Sequence, residues 1–226
     1  MPALLFGSIS TVADTSELQR EAFNQAFKTH GLGWTWNREG YTSLLESSGG
    51  QDRIAAYARA QGQDVDVEAV HATKSTLFQE SLAASAVKPR AGVLATIAAA
   101  KRQGMKVALV TTTSPANVTA LLKALSPGLR ADDFDLVVDA TNIDTPKPDP
   151  AAYRYALASL GEVAGACVAI EDNLGGVESA LKAGLACVAF PNENTVGHNF
   201  THADASVEEL DAAELTKLAG PTPIAV

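Results

Sequence analysis

The sequence of 226 residues predicts an α/β fold of three layers, a parallel sheet held between two layers of helices, with a helical subdomain inserted after the first strand. Three observations predict it. Short apolar runs alternate with longer amphipathic stretches. The runs are nearly continuous in Ala, Val, Leu and Ile, as strands buried on both faces should be. From about Ser16 to Ser85 the alternation stops, and only helical spacing is found.

The first run, Ala3–Ile9, reads as strand one. Leu18–His30, Tyr41–Glu46, Asp52–Ala60 and Val67–Ala84 then read as helices, far more chain than a crossover needs. The expected division is a core of residues 1–14 and 86–226 and a helical cap of residues 15–85. Ligands of open α/β sheets bind at the carboxyl ends of the strands, so a cap leaving strand one lies over that edge as a lid. Arg90–Gln103 reads as a helix closed by Gly104, and Val107–Thr111 as the second strand. Ser114–Leu125 opens with Ser-Pro, a capping hydroxyl followed by proline at the first helical position. Asp135–Val138, Cys167–Ile170 and Ala186–Phe190 are the remaining strands. Between them, helices Pro150–Leu160 and Leu174–Ala183 end at Gly161 and Gly184. The tail, Pro221–Val226, reads as frayed.

A chain of this length buries roughly 70% of its unfolded surface and needs no staple. Cys167 and Cys187 sit in apolar runs without a CxxC pattern and read as buried, reduced thiols. The net charge of −9 disfavours nucleic acid and anionic membranes as partners. The N-terminus lacks the basic start of a signal peptide, and no apolar run approaches the roughly 20 residues that span a bilayer. The expectation is a cytoplasmic protein that binds neither nucleic acid nor membrane.

The carboxyl ends of the strands carry the candidate chemistry. Thr111, Thr112, Thr113 and Ser114 lead into a helix, where hydroxyls and free amides make either an anion site or a threonine-rich helix cap. Lys147 stands between two prolines, in a stiff loop that gives its ammonium a defined direction or simply exposes it to solvent. Glu171 and Asp172 are adjacent carboxylates at the end of a buried strand. They suit Mg²⁺, which takes oxygen ligands, or else Asp172 caps the following helix. His198 and His202 read as loop histidines, and Trp34 and Trp36 as packing residues of the cap.

In this order the signals resemble the haloacid-dehalogenase-like (HAD) superfamily of phosphoryl-transfer enzymes, and within it the CbbY and β-phosphoglucomutase-like sugar-phosphate proteins. The anchors are Ala13-Asp14-Thr15, Arg20 to Asn24, Gly49-Gly50 with Arg53, Thr111-Thr112-Thr113, Lys147-Pro148-Asp149-Pro150, Glu171-Asp172 and Pro191-Asn192. The resemblance implies a Rossmann-like core with a helical cap. It implies Thr111, Thr112 and Lys147 as phosphate contacts, Glu171 and Asp172 as metal ligands, and Gln19, Gln51 and Arg53 as cap contacts to substrate.

The first motif of that family is Asp-x-Asp-Gly-Thr/Val, a nucleophilic aspartate followed two residues later by the general acid and base. Here the stretch reads Phe6-Gly7-Ser8-Ile9-Ser10-Thr11-Val12-Ala13-Asp14-Thr15. Thr11, Asp14 and Thr15 hold the register, so the nucleophile position is Gly7 and the acid/base position is Ile9. Glycine cannot form an aspartyl-phosphate, and isoleucine has no proton to give. Loss of a general acid alone costs about 10²–10⁴ in rate, and loss of a nucleophile on the order of 10⁶. Mg²⁺ loses an anionic contact too, so its binding is expected to be weak or absent. Gln19 stands where the family often has histidine, and Gln51-Asp52 where it often has Lys-Glu.

The reading is a HAD-like protein that is catalytically impaired or inactive. It retains affinity for a small phosphorylated metabolite or free phosphate, or for a protein partner that the sequence does not identify. The alternative is an active Mg²⁺-dependent phosphatase or phosphomutase that uses an unusual nucleophile on a small phosphorylated metabolite. A purely structural protein without ligand is the third.

Overall fold

The computed structural model describes residues 2–46 and 49–218, so the expected fraying of Pro221–Val226 lies outside the described residues. Six strands run in chain order: β1 (Ala3–Phe6), β2 (Lys106–Val110), β3 (Leu136–Val138), β4 (Val168–Glu171), β5 (Ala186–Ala189) and β6 (Ala205–Ser206). They form one parallel sheet in the order β3-β2-β1-β4-β5-β6. The chain builds outward from β1 in one direction, then returns to add β4 on its other side. That reversal is the switch point at which loops diverge and leave a crevice.

Side chains alternate between two buried faces. Leu4, Phe6, Val107, Leu109, Val168 and Ile170 share one core. Ala3, Leu5, Ala108, Val110, Ala169 and Cys187 belong to the other. The apolar runs look continuous because both faces are covered. The first face is covered by α6 (Val93–Arg102), α7 (Pro115–Leu125) and α10 (Ala212–Leu218). The second is covered by α8 (Ala151–Leu160) and α9 (Leu174–Lys182). Both cysteines are free and buried.

The apolar run that opens the chain ends earlier than its composition predicts. Strand pairing stops at Phe6, and Ile9–Val12 forms a short helix, α1. Ser8 caps it by accepting from the Thr11 N–H at 3.0 Å. The two-residue strand β6 has no apolar run behind it and escapes sequence reading.

Between α1 and α6 come α2 (Ser16–Thr29), α3 (Arg38–Leu44), α4 (Gly50–Ala60) and α5 (Val67–Ala84). This helical insert has its own core, in which Phe23, Phe27, Trp34, Trp36 and Tyr41 are buried together. Phe27 stands edge-on to Trp36 and Trp34, with ring centroids 4.6 and 5.2 Å apart. The far half of α5 leaves that cluster: Phe78 and Leu82 pack into the first core of the sheet. Helix α5 therefore ties the insert to the core.

Phe27→Ala would remove one ring from between both tryptophans of the chain. We expect a loss of about 3–5 kcal/mol in urea unfolding followed by tryptophan fluorescence. An unchanged midpoint would show that the insert does not depend on this cluster.

Candidate functional site

The loop after β1 lies against the end of β4, and the Gly7 N–H donates to Ile170 O at 2.8 Å. A β-carbon on Gly7 would lie 2.1 Å from Glu171 Cδ and Oε1, and 2.4 Å from the Tyr153 hydroxyl. One on Gly176 would lie 2.1 Å from Glu171 Oε2. The Glu171 carboxylate is thus sandwiched between two glycines. The space that a side chain at position 7 would enter is filled by Glu171 and Tyr153.

Glu171 is fully buried. Its Oε1 accepts from Lys147 Nζ at 2.6 Å and from the Tyr153 hydroxyl at 2.7 Å. Lys147 Nζ also donates to Val110 O at 2.7 Å and to Gly7 O. An ammonium has three protons, and these acceptors take all of them. The same nitrogen stands 4.4 Å from the Tyr153 ring centroid. Burial pushes the Glu171 carboxyl up, and the Lys147 charge works against that shift. Burial, reinforced by Glu171, pushes the Tyr153 hydroxyl well above its ordinary value. Lys147, expected as an anion contact, therefore lies beneath the crevice with its donors committed.

Asp172, the residue after β4, faces the crevice. Its Oδ1 accepts from Ser8 Oγ at 2.5 Å, Thr11 Oγ1 at 3.2 Å and Asn173 Nδ2 at 3.2 Å, and its Oδ2 accepts from Asn192 Nδ2 at 2.7 Å. It does not cap α9. That role falls to Asn173, whose side chain accepts from the Gly176 N–H at 2.9 Å.

These two carboxylates were the expected metal ligands, and the geometry gives them other work. Mg²⁺ needs carboxylate oxygens free to enter a near-octahedral shell. Glu171 gives Oε1 to an internal cation, and its unpartnered Oε2 is buried away from the residues that line the crevice. Asp172 is surrounded by donors, and positions 7 and 9 supply no carboxylate. Among the described residues no three His, Cys, Asp or Glu side chains cluster as a metal site. The residues present do not fit Mg²⁺.

Above the strand ends lies a cavity of about 770 Å³, roofed by the helical insert. Its floor includes Ser8, Ile9 and Asp172. One wall is Thr111, Thr112, Thr113 and Ser114. Ser114 caps α7 and Pro115 follows it, so the helix N-terminus opens toward the cavity with its hydroxyls. The roof holds Gln19, Gln51 and Arg53, the three expected cap contacts, together with His71 and Lys74.

Lys74 is 4% exposed, donates to Gln19 Oε1 at 3.0 Å, and lies 4.7 and 5.0 Å from the ring centroids of Phe23 and Phe78. Burial pushes its ammonium down to about 7. Burial also holds His71 down at about 4, so that imidazole is neutral near pH 7. Arg53 donates to Leu44 O at 2.9 Å and stacks 5.8 Å from the Tyr41 ring centroid. Sequence reading missed Lys74. Its signal was present: in α5 it interrupts the buried stripe Val70, Phe78 and Leu82, where a lysine must either be buried for a purpose or break the packing.

Gly7→Ala would force the Glu171 carboxylate off Lys147 and leave a buried ammonium unpaired. Removing one member of a buried pair typically costs about 3–5 kcal/mol. We expect that loss in urea unfolding for Gly7→Ala and a similar one for Lys147→Met. Their effects should not add, because both break one pair. Wild-type stability in Gly7→Ala would show that Glu171 does not need this slot.

Residues 3–184 match the family model described as haloacid dehalogenase-like hydrolase. The chain is 37% identical over 216 residues to Protein CbbY of Rhodobacter capsulatus, covering 94% of this chain and 95% of that one. It is 38% identical over 221 residues to Protein CbbY of Cereibacter sphaeroides, covering 96% and 95%. The crystal structure of CbbY from Rhodobacter sphaeroides in complex with phosphate superposes with a TM-score of 0.85 at 36% identity, covering 92% of this chain and 94% of that one. A mutant of the same protein, solved with xylulose-(1,5)bisphosphate, gives the same values. The chain therefore belongs to the haloacid dehalogenase-like hydrolases, in the CbbY-like subgroup.

Proposed function

We propose that this chain holds a small phosphorylated metabolite, or free phosphate, between core and cap without turning it over. The observation that carries the reading is at position 7. No carboxylate stands there to attack phosphorus, and the room for one is occupied by Glu171 and Tyr153. Ile9 supplies no proton for a leaving group. Ser8 gives its hydroxyl proton to Asp172 at 2.5 Å, a nucleophile–base geometry, and the turnover assay below tests that alternative.

The binding half of the site supports the ligand class. One phosphate-sized anion would take the hydroxyls of Thr111 to Ser114 and the start of α7. A second anionic group, or a polar sugar end, would lie under Lys74 and Arg53. The relative solved with phosphate, and its mutant solved with a bisphosphorylated sugar, match that two-ended polarity. Mg²⁺ has no part in this reading, because Asp172 is held by side-chain donors and Glu171 lies outside the cavity lining. No helix among the described residues is long and apolar enough to cross a membrane, in keeping with a ligand met in solution.

Two measurements test it. Sugar phosphates and p-nitrophenyl phosphate, supplied with Mg²⁺, should give no turnover above a blank preparation. Turnover that tracks the purified chain would overturn the reading. In phosphate titrations at about pH 8, binding should draw up to about one proton from the buffer, because an anion near Lys74 raises the depressed value of its ammonium. Calorimetry in buffers of different ionisation heat reads that uptake, and Lys74→Met should abolish it. Equal heats in all buffers would place the anion away from Lys74.

A further inference from the structure

A line of hydrogen bonds runs from the helical insert to the anion loop. Gln79, on α5, donates from Nε2 to Asn117 Oδ1 at 2.9 Å. Asn117, on α7, donates from Nδ2 to Thr113 Oγ1 at 2.9 Å. Thr113 is fixed at its backbone as well, with its N–H on Thr111 Oγ1 at 3.2 Å and its carbonyl accepting from Ala140 N–H at 2.9 Å. Asn117 is 3% exposed, an amide buried at the junction of insert and core. Thr113 and Asn117 line the cavity, and Gln79 stands outside its wall.

The direction of these bonds matters. A hydroxyl has one proton and two acceptor lone pairs. With Asn117 donating to its oxygen, the Thr113 hydroxyl keeps its own proton for another acceptor. Gln79 supports the Asn117 amide in the orientation that allows this, by donating to the Asn117 oxygen. Donors in series also polarise one another. If Gln79 is removed, the amide is free to turn and present its oxygen to Thr113, and the hydroxyl proton is then spent inside the protein.

We propose that Asn117 is a positioning residue that aims the Thr113 hydroxyl at a bound phosphate, and that Gln79 makes this aim depend on the insert being seated against the core. The inference rests on the phosphate-binding reading above. It makes anion affinity depend on the packing of α5 against α7, since whatever disturbs that packing loosens the aim of the anion loop.

The test is a calorimetric titration of inorganic phosphate into the full chain and its variants. Gln79→Leu keeps a helix-forming residue on α5 and touches no cavity wall. It should weaken phosphate binding about three- to tenfold, the effect of one well-aimed donor. In a Thr113→Val background the same change should have no further effect, because the group it aims is gone. Asn117→Asp has the same shape but accepts at both ends, and it should weaken binding more than about tenfold. A merely structural Gln79 would lower the melting temperature and leave phosphate affinity alone. A parent that binds phosphate together with a Gln79→Leu variant that binds it equally would overturn the relay. So would an equal loss in the Thr113→Val background. A parent that binds no phosphate would overturn the ligand reading itself, and the relay with it.

Discussion

Under the carboxyl ends of the central strands, one buried contact between Lys147 and Glu171 sets the character of the whole crevice. The two charges lie 2.6 Å apart, both in buried side chains. Removing two ions from solvent is expensive, and further hydrogen bonds offset part of that cost. Here Tyr153 donates to Glu171 Oε1, and Val110 O and Gly7 O accept from Lys147, while Glu171 Oε2 is buried without a hydrogen-bond partner. The arrangement requires glycine at position 7. Any β-carbon there would stand inside the Glu171 carboxylate. The lack of a side chain at position 7 and the inward seat of Glu171 are therefore one structural fact. The Lys147 ammonium is the cation that faces this carboxylate.

With Lys147 and Glu171 neutralised beneath the floor, the cavity's own polarity comes from elsewhere. Asp172 is embedded in donors from Ser8, Thr11 and Asn192 and works as a strut between the β1 loop and the loop after β5. The positive end is the roof, where Lys74 and Arg53 lie against aromatic rings. The donor-rich wall is the start of α7. On the proposed reading, these are the surfaces that hold an anionic ligand, and positions 7 and 9 supply no carboxylate to break a bond within it. Helix α5 joins these parts, since it carries Lys74 into the roof, Phe78 and Leu82 into the sheet core, and Gln79 to α7.

Much of this was legible in the sequence where it depends on local periodicity. Helix Val67–Ala84 has the bounds its spacing predicts, because Asp66 caps it by accepting from the Ala69 N–H and Ser85 leaves the helical conformation. Thr111, Thr112, Gln19, Gln51 and Arg53 meet around one cavity, as their positions at strand ends and in the cap suggest. The empty nucleophile position was visible directly, as glycine in a motif whose register Thr11, Asp14 and Thr15 hold. What was not legible is pairing at a distance. Lys147 and Glu171 each look like a ligand-facing group, and nothing local tells that they face each other. Tyr153 reads as one more apolar position of α8, although its hydroxyl completes the pair. Strand β1 was read too long because Ile9 is apolar, and the hydroxyl of Ser8 that starts a helix there is a single weak signal.

The measurement that tests this account most directly is phosphate affinity by calorimetry, in EDTA and again in excess Mg²⁺. If the Lys147 ammonium has taken over the neutralisation of Glu171, and Asp172 is committed to hydroxyl and amide donors, the two affinities should agree within error. Binding that appears only with Mg²⁺, or strengthens tenfold or so in its presence, would mean that the carboxylates leave their partners to coordinate a metal, and would contradict the account at its centre.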